Sequence, residues 1–175
     1  YMSENCKKEN SKNAVEGNLL NEKQIDSLKK QIQDNFKKAF FDLLKEKVAE
    51  NPPDYDWITK LYSEIQVKLK KLLKTTSPLR KEIEECMDVE LFDQMIRNNA
   101  FSGEDFYKLI NYVFELIKKL GSPARDKNVD DKKQEILDIM MNGGTFADIV
   151  PIFIKNANDT IDLIYIDIEN LIKKK

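Results

Sequence analysis

The side chains with chemical reach in this chain are carboxylates, lysines, two cysteines and three arginines; histidine is absent from its 175 residues. Without histidine the usual general base and the commonest metal ligand are missing. Cys6 and Cys86 are 80 residues apart, which gives no zinc spacing, and the glycines form neither a P-loop nor a dinucleotide fingerprint. Asp159 with Asp162, and Glu82 with Glu85, would each share a helix face. Paired carboxylates can do acid–base work or hold a hard cation, but a cation needs further oxygens from a second helix, and this spacing is ordinarily solvated surface. The sequence therefore predicts no catalytic, cofactor-binding or metal-ligating residue, and no enzyme.

Two patterns of positive charge remain. Between Glu64 and Glu82 there is no acid, while Lys68, Lys70, Lys71, Lys74, Arg80 and Lys81 crowd in among Leu69, Leu72 and Leu73. This predicts a basic amphipathic helix end, and Lys68, Lys70, Lys71, Lys74 and Lys81 form a candidate patch for an anionic membrane surface or an acidic partner. The plainer reading is that lysines near a helix C-terminus complement its dipole and keep that face wet. The second pattern is Ser-Pro-x-Arg, written at Ser77 to Arg80 and again at Ser122 to Arg125, in a chain whose three arginines are Arg80, Arg97 and Arg125. Serine suits a helix N-cap and proline the first helical position, but an arginine two residues on opposes the dipole. A bidentate carboxylate partner would stabilise it, because a planar fork does what lysine cannot. The tetrads thus predict structural ion pairs for Arg80 and Arg125, with Arg125-Asp126 locking one helix to the next. The same tetrad is a consensus for proline-directed kinases, although a capping serine is poorly presented to one.

The elements that must position these residues are helical. Five glycines and five prolines, 41% hydrophobic and 34% charged residues describe a globular all-α chain rather than a turn-rich β fold. Residues 1–20 are polar and aperiodic and read as a disordered tail; residues 21–175 read as one compact bundle of about seven helices. Ile25, Leu28, Ile32, Phe36, Phe40, Leu43 and Val48 make one stripe of a long first helix, which Pro52 and Pro53 must end. Asp54 caps a second helix with the stripe Trp57, Leu61, Ile65, Leu69 and Leu72. Ser77 opens a third, with Glu82, Glu84 and Glu85 in its early turns; Asp88 caps a fourth through Arg97; and Ser102, with Asp105, caps a fifth that Gly121 closes. Ser122-Pro123 starts the next piece, with Asp130 or Asp131 capping the run to Met141, and Gly143-Gly144 breaks it. The last segment, Phe146 to Ile172, is apolar on more than one face, which predicts a largely buried C-terminal helix or one awaiting a partner or a second copy.

Two cysteines, no apolar run near 18 residues and no signal-peptide core predict a cytoplasmic protein. A net charge of −2 and a pI near 5.4 argue against nucleic acid as the default partner. Abundant lysine, asparagine and isoleucine are the composition of an AT-rich genome.

Several of these stretches, taken in order, carry a resemblance. Ala39-Phe40-Phe41, the turn Pro52-Pro53-Asp54-Tyr55, Glu64-Ile65, the run Leu79 to Glu85 with Arg80, Glu82 and Glu84, Met87 to Leu91, and the box Ser122-Pro123-Ala124-Arg125-Asp126 resemble the T-complex protein 11 family over residues of about 30 to 171. Lys127 stands where that family commonly has an acid, and Asn158 to Asn170 replaces a helix of Asp-Leu-Met-Lys-Leu-Asp-Met-Ala-Asn type. Family members run on for a comparable length beyond this point, so the chain reads as a compact version or a piece. The resemblance implies a regulatory role, linked to cyclic-AMP and protein kinase A signalling and, in animals, to sperm function, and no catalytic one. The expectation is a non-catalytic module that binds another protein. Two alternatives stand beside it: a peripheral membrane or nucleic-acid binder using residues 68–81, and a host-directed helical bundle with a peptide groove, as in small all-α apoptosis regulators, an idea resting on size and class alone.

Overall fold

The computed structural model describes residues 19–174, and the polar stretch read as a disordered tail falls outside them up to position 18. The described helices are α1 (Glu22–Ala49), α2 (Tyr55–Lys71), α3 (Pro78–Cys86), α4 (Val89–Arg97), α5 (Gly103–Leu120), α6 (Asp126–Met141) and α7 (Phe146–Lys173), with a 3-10 turn at Pro123–Arg125. The chain divides into two units, Tyr1–Asp42 and Leu43–Lys175.

In the first unit, α1 begins with reciprocal bonds: Gln24 N–H donates to Asn21 Oδ1 at 2.8 Å and Asn21 N–H to Gln24 Oε1 at 3.0 Å. The stripe Ile25, Leu28, Ile32 and Phe36 is exposed rather than part of a core, with Phe36 73% accessible. Periodicity defines such a face and not what covers it.

The second unit opens with the end of α1, where Leu44 and Val48 are buried. Val48, expected in the stripe with Leu43, instead shares a buried face with Leu44, four residues before it, while Leu43 is exposed. Short polar side chains start the next four helices by accepting backbone N–H groups that a helix leaves unpaired. Asp54 accepts from Trp57 at 3.1 Å, Ser77 from Leu79 at 3.3 Å and Asp88 from Leu91 at 3.0 Å, while Ser102 and Asp105 form a capping box. Ser122 accepts from Ala124 at 3.3 Å and starts the 3-10 turn, from which α6 continues at Asp126.

The start expected at Asp130 or Asp131 is therefore corrected. Both lie inside α6, where Asp130 pairs with Lys118 at 3.1 Å and Asp131 with Lys127 at 2.9 Å. The tight turn already supplies the helix start, so no second cap is needed. Gly143, at φ 81°, ends α6 with a backbone that side-chain-bearing residues rarely adopt.

The core runs along α7. Ile149, Val150, Ile152, Phe153, Ile154, Ala157, Ile161 and Ile164 are buried against α6, α5 and α2, each large side chain contributing about 1.5–3 kcal/mol. Ile166, Ile168, Leu171 and Ile172, in its last two turns, are exposed. The helix is largely buried and ends in an apolar tip. Among the described residues no helix is long and apolar enough to cross a membrane.

A candidate interaction groove

The two tetrads do different things. Arg125 forms the expected fork, with Nε to Asp167 Oδ2 at 3.1 Å and Nη2 to Asp167 Oδ1 at 2.8 Å, and holds that carboxyl below its usual range. The partner lies on α7, so the lock ties the 3-10 turn to the last helix rather than to the one before it. Arg80 finds no carboxylate partner among the described residues. Its Nη2 donates to the Leu73 carbonyl at 3.3 Å, and its Nε is buried without a partner. The expected ion pair is corrected for a local reason: the side chain folds back over the C-terminal end of α2, where helix carbonyls are left open to a donor. The third arginine, Arg97, donates from Nε to both oxygens of Asp93 at 2.9 and 3.0 Å, pairs with Asp56, and lies 5.6 Å from the Tyr55 ring centroid. Pro52, Pro53, Asp54 and Tyr55 thus form the turn that Arg97 closes.

The basic patch is divided by the fold. Lys68 donates to Asn158 at 2.9 Å and lies 4.0 Å from Asp162, while Lys70 pairs with Glu84 at 2.8 Å. The Lys70 ammonium holds the Glu84 carboxyl below its ordinary range. Lys71, Lys74 and Lys81 are exposed, so three of the five expected residues still face solvent. Glu82 is exposed on the next helix.

A different feature lies where the end of α3, α4 and the start of α5 meet α2. It is a groove containing a cavity of about 330 Å³. Its floor is aromatic: Tyr62 stacks on Phe92 with centroids 4.0 Å apart, and Phe101 meets Phe92 edge-on at 5.3 Å. Tyr112, Leu109 and Met95 form its walls, and Leu91 is 52% exposed at the mouth. Gln66 Nε2 donates to the Met87 carbonyl at 2.8 Å in a buried bond that fixes the corner between α3 and α4. Thr59 donates to Asp93 at 2.6 Å and ties α4 to α2, holding the Asp93 carboxyl low together with Arg97.

The rim is acidic. Glu85, Asp88 and Asp105 line it, and its one lysine, Lys108, pairs with Glu104 at 3.1 Å. Burial, then the neighbouring Asp88, pushes the Tyr62 phenol well above its ordinary range. Tyr112 is raised by burial first, then by Cys86 and Glu82. Both rings are neutral phenols at physiological pH. Such a surface has the usual composition of a binding cleft, mostly apolar with a few polar groups, at the small end of the usual size. Sequence reasoning passed over it because its floor is drawn from α2, α4 and the loop before α5. One signal was present: residues 82–105 carry eight acids and a single base.

The T-complex protein 11 family model matches residues 14–172. Human T-complex protein 11 homolog is 34% identical over 113 residues, 64% of this chain and 22% of its own length. Human T-complex protein 11-like X-linked protein 1 is 34% identical over 92 residues, 52% of this chain and 18% of the relative. Mouse T-complex protein 11 is 31% identical over 104 residues, 59% of this chain and 18% of the relative. The chain thus spans about a fifth of the length of these curated relatives. No solved structure matches it.

Proposed function

The chain belongs to the T-complex protein 11 family, and from that premise we propose that it is a non-catalytic interaction module that binds another protein through the groove between α3, α4 and α5. The observation that carries the reading is the groove itself: a cleft over a packed aromatic floor, with Leu91 half-exposed at its mouth, supported from behind by the buried Gln66–Met87 bond to α2. A rigid apolar cleft of this kind suits an anchoring side chain from a partner. A role in cyclic-AMP and protein kinase A signalling, implied by the family resemblance, belongs to the same proposal: the module would hold a signalling protein in place.

The alternative of an anionic surface met by the basic patch retains Lys71, Lys74 and Lys81, but Lys68 and Lys70 are engaged within the molecule. The two readings separate in one experiment. Proteins captured from the native host by the wild-type chain are compared with those captured by Leu91→Glu and by Lys71→Glu with Lys74→Glu. All three substitutions are at exposed positions and leave the core intact. A partner lost with Leu91→Glu and kept by the lysine pair supports the groove. The opposite pattern overturns it and favours the basic patch.

A further inference from the structure

We infer that the groove takes a cationic amphipathic segment of its partner, an apolar side chain entering the aromatic cavity while lysine or arginine side chains meet the acidic rim. The inference rests on the groove being the binding surface and adds the sign and form of what binds.

The charge balance points one way. From Glu82 to Asp105 there are eight acids and one base, and that base, Arg97, is engaged by Asp93 and Asp56. At the rim itself Lys108 is paired with Glu104. Asp88 and Asp105 serve as helix caps, but capping does not remove their charge: the cap bonds reach Oδ1 of Asp88 and Oδ2 of Asp105. Glu85 is exposed beside them. A phosphorylated or acidic segment, a nucleic acid or an anionic headgroup would meet like charge here. A cationic one would meet complementary charge, which steers encounter as well as stabilising the complex.

The wall offers a second, independent feature. The Tyr112 hydroxyl is shut from solvent without a full hydrogen bond, and the thiol of Cys86 beside it is only a weak partner. Entry of an ammonium or guanidinium beside it, once the wall side chains part, would give this neutral phenol oxygen a donor. The form of the occupant follows from the mouth: Met95 in the wall and Leu91 at the mouth, four apart, carry the apolar lining along α4. A small amine filling 330 Å³ would leave Leu91 uncovered, whereas a helix lowering one side chain into the cavity covers it.

The test uses two synthetic amphipathic helices with the same leucine positions, one with lysine and one with glutamate on the polar face. The full chain carries Cys6→Ser, so that alkylation of the exposed Cys86 at the groove reports occupancy. The leucine–lysine peptide should bind at least tenfold more tightly than the leucine–glutamate peptide and slow Cys86 alkylation as it saturates. Glu85→Gln with Asp88→Asn should erase most of that preference. Asparagine caps as well as aspartate, so α4 keeps its start. The preference should also shrink as salt is raised, as charge steering does.

Protection of Cys86 by the glutamate peptide, or equal binding of both, would overturn the assigned sign while leaving the groove a binding surface. Protection by neither peptide would overturn the groove reading as well. Self-association in sedimentation velocity, abolished by the same double neutralisation, would replace the partner with a second copy presenting its own basic stretch, and would overturn the assignment to another protein.

Discussion

Residues 68–81 and residues 82–105 adjoin in the sequence and carry opposite charge, six bases without an acid followed by eight acids with one base. Folding treats them differently. The basic stretch turns two lysines to internal partners and buries Leu69 fully, leaving Leu72, Leu73 and Leu79 half-buried beside the charge. The acidic stretch keeps Glu85 and Asp88 at the edge of a groove whose mouth carries the half-exposed Leu91. A run of charge in a sequence states a total, while binding depends on the charge that folding leaves unengaged next to apolar surface.

The strongest way to break this contrast is to remove the floor. Phe92→Ala, at a side chain 5% exposed and stacked on Tyr62, should cost about 3–5 kcal/mol and lower the urea midpoint accordingly. The same variant should lose the leucine–lysine peptide under conditions where it remains folded. Gln66→Ala should cost about 1–3 kcal/mol by leaving the Met87 carbonyl buried without its donor. Because that bond sets the α3–α4 corner, peptide affinity should fall with it, while the exposure of Lys71 and Lys74 stays as it is.

Asp88→Ala should cost ~1 kcal/mol as a lost cap, whereas Asp88→Asn keeps the cap and should cost little. Charge and capping are thereby separated: alanine lowers both stability and cation preference, asparagine the preference almost alone. The acid limb gives the smallest effects. Asp93, lowered chiefly by the Thr59 hydroxyl and by Arg97, and Glu84, lowered by Lys70, have depressed folded values. Depressed carboxylates contribute stability that is present above their unfolded values, about 3.9 and 4.3, and lost as pH falls through the folded ones. Urea midpoints measured from pH 6 to pH 2 should therefore fall, with a flatter limb in Asp93→Asn. Lys70→Gln should flatten the limb only slightly, since Glu84 is exposed to solvent. A large effect from Lys70 would show that the basic stretch matters more to the fold than its exposure suggests.

Much of the fold was legible because helix starts are local events. Asp54, Ser77, Asp88 and Ser102 each bond within three residues, and nothing distant can override that chemistry. The start of α7 was written the same way, with the Asp148 carboxylate accepting from the Thr145 N–H at 2.9 Å and its hydroxyl at 3.0 Å, and could have been read from Thr-x-x-Asp after the glycine pair. Arginine partners were not legible. Identical tetrads place Arg80 over an open helix end and Arg125 against Asp167, 42 residues on, because the partner is set by tertiary neighbours. The stripe of α1 shows the same limit, as do the groove's aromatic residues, which converge from α2, α4 and α5 only after packing.

The continuity of α2 has one further consequence. Tyr62, in the groove floor, and Lys70, at the basic end, sit eight residues apart on a single helix, which sets their backbones about 12 Å apart. That exceeds the screening length of about 8 Å in physiological salt and falls well short of the 30 Å found at 0.01 M. In cellular salt a partner approaching the groove feels the acids there with little correction from the lysines behind. In dilute buffer it meets the sum, a nearly neutral molecule of net charge −2. The two faces become electrically distinct only when ions are present to separate them.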